Sequence, residues 1–190
     1  MYDFTAFDSS SIVSSYNKIS SKYGYSKDKL RQELAEANNC IAIGDTSCYA
    51  DMVAVPKDYP NIVIKICPSH DKFITYAKCC LSGEISGPHI PKIYSGTEIN
   101  DGAWLFVMER LERPLSEEEK ERIIDCACFD WSNSIPTRGK YAKVCKAIKE
   151  TKENICSVMD TTDDCWCFDL HYGNFMCRKD GTIVFLDPVC

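Results

Sequence analysis

The last twenty or so residues carry the pattern that most restricts what this chain can become. Asp169-Leu170-His171-Tyr172-Gly173-Asn174 sets an aspartate and an asparagine around a glycine-containing loop. The apolar run Phe175-Met176-Cys177-Arg178 follows, then the turn signal Lys179-Asp180-Gly181, then a second apolar run, Ile183-Val184-Phe185-Leu186, that ends on Asp187-Pro188. Two short apolar runs joined by a glycine turn read as a β-hairpin. The hairpin brings Asp187 back beside Asp169 and Asn174. Oxygen donors gathered at one end of a hairpin suit a divalent cation such as Mg²⁺, which needs only two side chains when phosphates and water complete its shell.

Upstream, the periodicity changes twice. Ser26 reads as an N-cap for a helix over 27–37, with Leu30, Leu34 and Ala37 on one face and Asn38-Asn39 as its stop. Residues 1 to about 25 are rich in Ser and Tyr, with weak helical periodicity. From Cys40 the pattern is that of strands: Ile41-Ala42-Ile43, Met52 to Val55, Ile62 to Ile66, Lys92-Ile93-Tyr94 and Ala103 to Met108. A helix is expected over 69–81, with Phe73, Ile74, Ala77 and Leu81 inward, and a turn at Asn100-Asp101-Gly102. Glu109 to Pro114 reads as a short connection. Ser116-Glu117-Glu118-Glu119 is a capping signature, and 140–158 is helical, with Val144, Ala147, Ile148 and Ile155 inward.

Lys65 stands inside the apolar strand Val63-Ile64-Lys65-Ile66. A lysine there costs free energy unless its ammonium finds a counter-charge. Asp71, at the start of the following helix, and Glu84, just past its end, are both open as the partner. The turn from Gly44 to Ala50 offers backbone N–H groups and the Ser47 hydroxyl to an anion.

Composition narrows the partners. A chain of 190 residues, 45% hydrophobic, can build a real core. A formal charge of −6 argues against a nucleic-acid partner; ATP needs only a local positive site. The 13 cysteines are not accompanied by a signal-like or membrane-length apolar run. Reduced thiols in a cytoplasm are expected, with no membrane partner. Cys126/Cys128 and Cys165/Cys167 are spaced as CxC, unlike the usual zinc knuckles, so the thiols read as small hydrophobes.

Phe168 to Met176, then Leu186-Asp187-Pro188-Val189, resemble the early serine/threonine protein kinase of T-odd (T-seven-like) bacteriophages. Val63-Ile64-Lys65 and Ile90-Pro91-Lys92-Ile93-Tyr94 are similar as well. The resemblance implies an α+β, reduced bilobal protein-kinase-like fold: a five-stranded antiparallel N-lobe sheet with one αC-like helix, and a truncated, mostly helical C-lobe that carries the catalytic hairpin. It implies an N-terminal helical extension over 1–39, an N-lobe over 40–109 and a C-lobe over 110–190. ATP and Mg²⁺ are the implied cofactors. Asp169 is then the base or orienter of the incoming hydroxyl, and Asn174 and Asp187 are the Mg²⁺ ligands. Lys65 holds the α- and β-phosphates, and Gly44, Ser47, Glu109 and Leu111 line the nucleotide. His171 either sits by the transferring phosphate as a protonated imidazole or braces the loop. The implied substrates are hydroxyls of host bacterial proteins, in the host cytoplasm, early in infection. The usual His-Arg before the catalytic aspartate is Cys167-Phe168 here, so control through a phosphorylated activation loop is not expected.

Two other functions are compatible with the same residues. One is a small-molecule phosphotransferase, which shares an Asp-x-x-x-x-Asn loop. The other is a pseudokinase-like binding module that inhibits a host enzyme. The intact set of Lys65, Asp169, Asn174 and Asp187 favours the protein kinase, because a scaffold has no chemical need for all four.

Overall fold

The computed structural model describes residues 7–23, 26–44, 50–111, 113–119 and 142–190. Ser47, Cys126, Cys128 and the rest of 120–141 lie outside the described residues. The chain divides into two compact units, Met1–Ile74 with Lys92–Arg110, and Thr75–Pro91 with Leu111–Cys190.

The first unit is built on a five-stranded antiparallel sheet of β1 (Cys40–Ala42), β2 (Met52–Pro56), β3 (Ile62–Cys67), β4 (Ile93–Glu98) and β5 (Trp104–Glu109), in the order β1-β2-β3-β5-β4. One helix, α3 (Phe73–Ser82), is inserted after the third strand. This is the expected α+β plan of a five-stranded antiparallel sheet with one helix after the third strand. β3 shows why the sheet forms. Ile62, Ile64 and Ile66 alternate onto one face and are wholly buried. They join a core with Leu105 and Val107 of β5, Met52 and Ala54 of β2, and side chains from two N-terminal helices.

Those helices are α1 (Ser10–Tyr23) and α2 (Lys27–Ala37). In α1 the weak periodicity resolves into Ile12, Tyr16 and Ile19, all buried, one helical turn apart. In α2 the inward residues are Leu30, Arg31, Leu34 and Ala35, so the buried stripe turns slightly from the expected one. Ser26 occupies the N-cap position but makes no side-chain cap bond, because its φ/ψ of −87/81 does not aim the hydroxyl at the first turn. Asn39 ends the helix with a left-handed φ of 52, and the Asn38 side chain donates to the Leu34 carbonyl at 2.8 Å.

Arg31 is buried for a polar reason. Its guanidinium donates to the carbonyls of Ala50 at 2.8 Å and Asp51 at 3.3 Å. The Tyr16 hydroxyl donates to the Asp51 carboxylate at 2.6 Å. The two N-terminal helices thereby grip the backbone at the start of β2.

Helix α3 begins at Phe73 rather than Ser69. The Asp71 carboxylate accepts from the Phe73 N–H at 3.0 Å, which makes Asp71 the cap, while Pro68 to His70 form a turn. Its residues from Thr75 onward belong to the second unit.

The second unit holds β6 (Arg113–Pro114), α4 (Ala142–Met159), β7 (Phe175–Cys177) and β8 (Ile183–Phe185). The expected connection after Glu109 therefore contains a short strand, which pairs with β7. At 116–119 the capping signature closes in both directions: the Ser116 N–H donates to the Glu119 carboxylate at 2.8 Å, and the Glu119 N–H to the Ser116 hydroxyl at 3.3 Å. Helix α4 buries Cys145, Ile148, Thr151, Ile155 and Met159. Thr151 satisfies its hydroxyl on the Ala147 carbonyl, at 2.8 Å. The expectation of uniformly reduced thiols fails at Cys145, which is in a disulfide; the other described cysteines are thiols outside any disulfide.

The expected hairpin is present. Phe175 faces Phe185, Met176 faces Val184 and Cys177 faces Ile183. Gly181 turns the chain with a left-handed φ of 84. Among the described residues, no helix is long and apolar enough to cross a membrane.

Candidate phosphate-transfer site

The residues singled out from the sequence fall in both units. Gly44, Lys65 and Glu109 belong to the first, and Leu111, Asp169, His171, Asn174 and Asp187 to the second. Each set has its own geometry.

In the first unit, strand alternation turns Lys65 onto the face opposite Ile62, Ile64 and Ile66. It pairs across the sheet with Val53 of β2 and Phe106 of β5. Lys65 is only 7% exposed, and its Nζ lies 3.5 Å from the centroid of the Phe73 ring. A ring face attracts an ammonium, and more strongly where water is excluded. Phe73 is held in place by Phe106, edge to face at 5.7 Å. Asp71 spends one carboxylate oxygen on capping α3; its other oxygen is buried without a hydrogen-bond partner. Gly44 has a left-handed φ of 86, as a turn leaving β1 requires. Glu109 is engaged with Lys92: its N–H donates to the Lys92 carbonyl at 2.9 Å, and its carboxylate accepts from the Lys92 N–H at 2.8 Å.

In the second unit the loop from Asp169 to Asn174 is held through backbone groups. The Asp169 N–H donates to the Pro188 carbonyl at 2.9 Å. The Asn174 side-chain amide donates to the Asp169 carbonyl at 2.7 Å, and Asn174 is buried. The Leu186 N–H donates back to the Asn174 carbonyl at 2.7 Å. Two of these bonds join the segment containing Asp169 and Asn174 to the segment containing Asp187, and the third closes the first segment on itself, none of them using a carboxylate.

His171 bridges the loop. Its Nδ1 accepts from the Gly173 N–H at 3.0 Å, which leaves the proton of a neutral ring on Nε2. That Nε2 stands 3.6 Å from the Asp169 carboxylate. Gly173 is required by this contact: a Cβ there would lie 2.8 Å from His171 Cε1. The bracing role left open for His171 is therefore visible in its bonds.

Asn174 and Asp187 are the two side chains expected to hold magnesium. The Asn174 amide commits its nitrogen to Asp169, so its oxygen is the end left for a hard cation. Asp187 adds a half-buried carboxylate. Its charge helps to hold the phenol of buried Tyr76 well above the ordinary range, after burial itself and the neighbouring Cys80. Among the described residues, no group of three or more His, Cys, Asp or Glu could hold a metal ion. A cation at Asn174 and Asp187 would take its remaining ligands from phosphate and water.

Sequence reasoning missed the residues that hold the hairpin from outside. The His89 Nδ1 lies 2.7 Å from the Ile183 carbonyl, and the Phe185 N–H donates to the His89 carbonyl at 2.9 Å. The Arg178 guanidinium donates to the carbonyls of Pro88 and of Ile90, the latter at 2.8 Å. Leu111 is buried, 6% exposed. No periodicity marks such bonds. The available signal was a histidine beside Ile90-Pro91 in a chain with 3 histidines.

No family model and no curated protein matches the chain in sequence. Among solved structures, an aminoglycoside-3'-phosphotransferase of type VIII is similar over 84% of this chain and 74% of its own, at 11% identity and a TM-score of 0.39.

Proposed function

We propose that this chain is an ATP- and Mg²⁺-dependent serine/threonine protein kinase of the bacteriophage type, which transfers the γ-phosphate to hydroxyls of host bacterial proteins. The observation that carries this reading is the Asn174 amide on the Asp169 carbonyl. It ties the proposed base to the proposed metal ligand through the amide nitrogen and does not use the amide oxygen. Asp169 orients the incoming hydroxyl and accepts its proton. Its carboxylate faces His171, so the loop orients the base before substrate arrives. Asn174 and Asp187 hold Mg²⁺, which when bound neutralises charge on the transferring phosphoryl group. Lys65, buried at the centre of β3, is assigned the α- and β-phosphates on the resemblance. Gly44, Ser47, Glu109 and Leu111 are assigned to the nucleotide on the resemblance alone. On this reading 40–109 and 110–190 act as the two lobes, with 1–39 as an extension, in the host cytoplasm.

The test is incubation with ATP and Mg²⁺ in bacterial extract, followed by mass spectrometry of both proteins and metabolites. Phosphoserine or phosphothreonine on extract proteins, absent with the Asp187→Ala chain, supports the proposal. A phosphorylated metabolite with no phosphoprotein replaces it with a small-molecule phosphotransferase. Neither product, together with no rise in Tm on adding Mg²⁺-ATP, replaces it with a binding module.

A further inference from the structure

The segment entering Asp169 and the segment leaving Asp187 end on two exposed cysteines, Cys167 and Cys190, that face each other. The Cys167 N–H donates to the Cys190 carbonyl at 2.9 Å, and the Cys190 N–H returns a bond to Cys167 at 2.9 Å. The neighbouring residues Phe168 and Val189 form an antiparallel bridge. Two residues that exchange both backbone bonds stand with their Cα atoms about 5.5 Å apart and their side chains on one face. That is the separation a disulfide spans without moving the backbone. The two Sγ atoms are already 3.1 Å apart.

We propose that Cys167 and Cys190 form a dithiol site that small-molecule disulfides oxidise to a reversible cross-link. The Cys167 thiolate attacks one sulfur of the small disulfide, whose S–S bond breaks and releases one small thiolate. The Cys190 thiolate then attacks Cys167 Sγ in the mixed disulfide and expels the second small thiolate. The Cys167–Cys190 bond forms, the protein loses two electrons and two protons, and the two departing thiolates take up both. The order follows from the hydrogen bond between the thiols. The contact with Cys167 holds the Cys190 thiol up at about 11, with burial and nearby negative charge adding to it. Cys190 is therefore assigned the role of resolving thiol. A bond between exposed cysteines on short paired segments belongs to the labile class that responds to the ambient thiol poise. It would lock the register of the segments that lead into Asp169 and out of Asp187.

Cys165 provides the control, because it is also exposed and free and lies two positions before Cys167. The full chain is equilibrated with oxidised and reduced glutathione at stepped ratios, quenched with a thiol-blocking reagent, digested and read by mass spectrometry. Trypsin separates Cys190 from Cys167 by cutting after Arg178 and Lys179. The expected result is a linked peptide pair joining Cys190 to Cys167, which forms at oxidising ratios and disappears on reduction. It persists in Cys165→Ser and is lost in Cys167→Ser. Oxidation also raises the Tm of the parent chain and of Cys165→Ser, but not of Cys190→Ser. Glutathione carried singly on Cys167 or Cys190 with no linked pair would overturn the proposal, as would a linked pair that survives in Cys167→Ser. All these readouts are independent of whether the chain transfers phosphate.

Discussion

The side-chain amide of Asn174 donates to the backbone carbonyl of Asp169 at 2.7 Å. The bond closes the loop through the amide nitrogen and does not use the amide oxygen, the proposed cation ligand. Replacing Asn174 by alanine removes the donor and leaves the Asp169 carbonyl without it. The expected loss is about 1–3 kcal/mol of stability, together with loss of Mg²⁺-dependent ATP binding. Chemical denaturation and calorimetric titration check the two effects separately. An Asn174→Asp chain should also be destabilised, since two acceptors would then face each other.

Gly173 supports the same loop through the space it leaves open. A Cβ at this position would sit 2.8 Å from His171 Cε1 and 3.2 Å from its Nδ1. Gly173→Ala should push the imidazole away from both the Gly173 N–H and the Asp169 carboxylate. Overpacking of this kind costs about 1–3 kcal/mol. The His171 ring resonances in a two-dimensional NMR spectrum should shift, and phosphate transfer should fall with them. A His171 spectrum unchanged by the substitution would show that the ring does not brace the loop.

In the first unit, Tyr16 and Asp51 form a buried pair at 2.6 Å. Tyr16→Phe keeps the ring and its packing against the core but removes the donor from a buried carboxylate. The cost should be about 1–3 kcal/mol, read as a lower urea midpoint. The Tyr16→Phe, Asp51→Asn double variant should lose less than the sum of the single losses, because the two groups satisfy each other.

Stability should decline at alkaline pH for an identifiable reason. Burial pushes the Cys80 thiol up from 9.0 to about 12, with Cys79 adding to the rise and a hydrogen bond from Tyr76 opposing it. A raised folded-state value means that the neutral thiol is favoured in the folded chain. The contribution is fully present below pH 9 and is lost as pH rises towards 12. The difference in unfolding free energy between the parent and Cys80→Ala should be flat below pH 9 and shrink above it.

The hairpin and the central sheet were legible because their signals are local. Two short apolar runs joined by a glycine turn specify β7 and β8, and the apolar strand around Lys65 specifies β3. The boundaries that moved did so for one reason. Capping depends on which side chain has the right backbone angles, and that is not written in residue type. Asp71 caps α3, which begins at Phe73 and not at residue 69, and Ser26 makes no side-chain cap bond to α2. In α1 the serines between Ile12, Tyr16 and Ile19 dilute the apolar stripe, although all three are buried. The clamps made by His89 and Arg178 bind backbone carbonyls far away in sequence. Sequence periodicity carries no signal for such bonds.

The most direct test of the account is transfer of label from γ-labelled ATP with Mg²⁺ in bacterial extract, using the parent chain and Asp169→Ala in parallel. Asp169 is half-buried and its carboxylate faces His171, so alanine should leave the fold intact while removing the proposed base. The account predicts label on extract proteins with the parent chain and a fall of about 10²–10⁴-fold with Asp169→Ala. Equal labelling by both chains, or none by either, would contradict it.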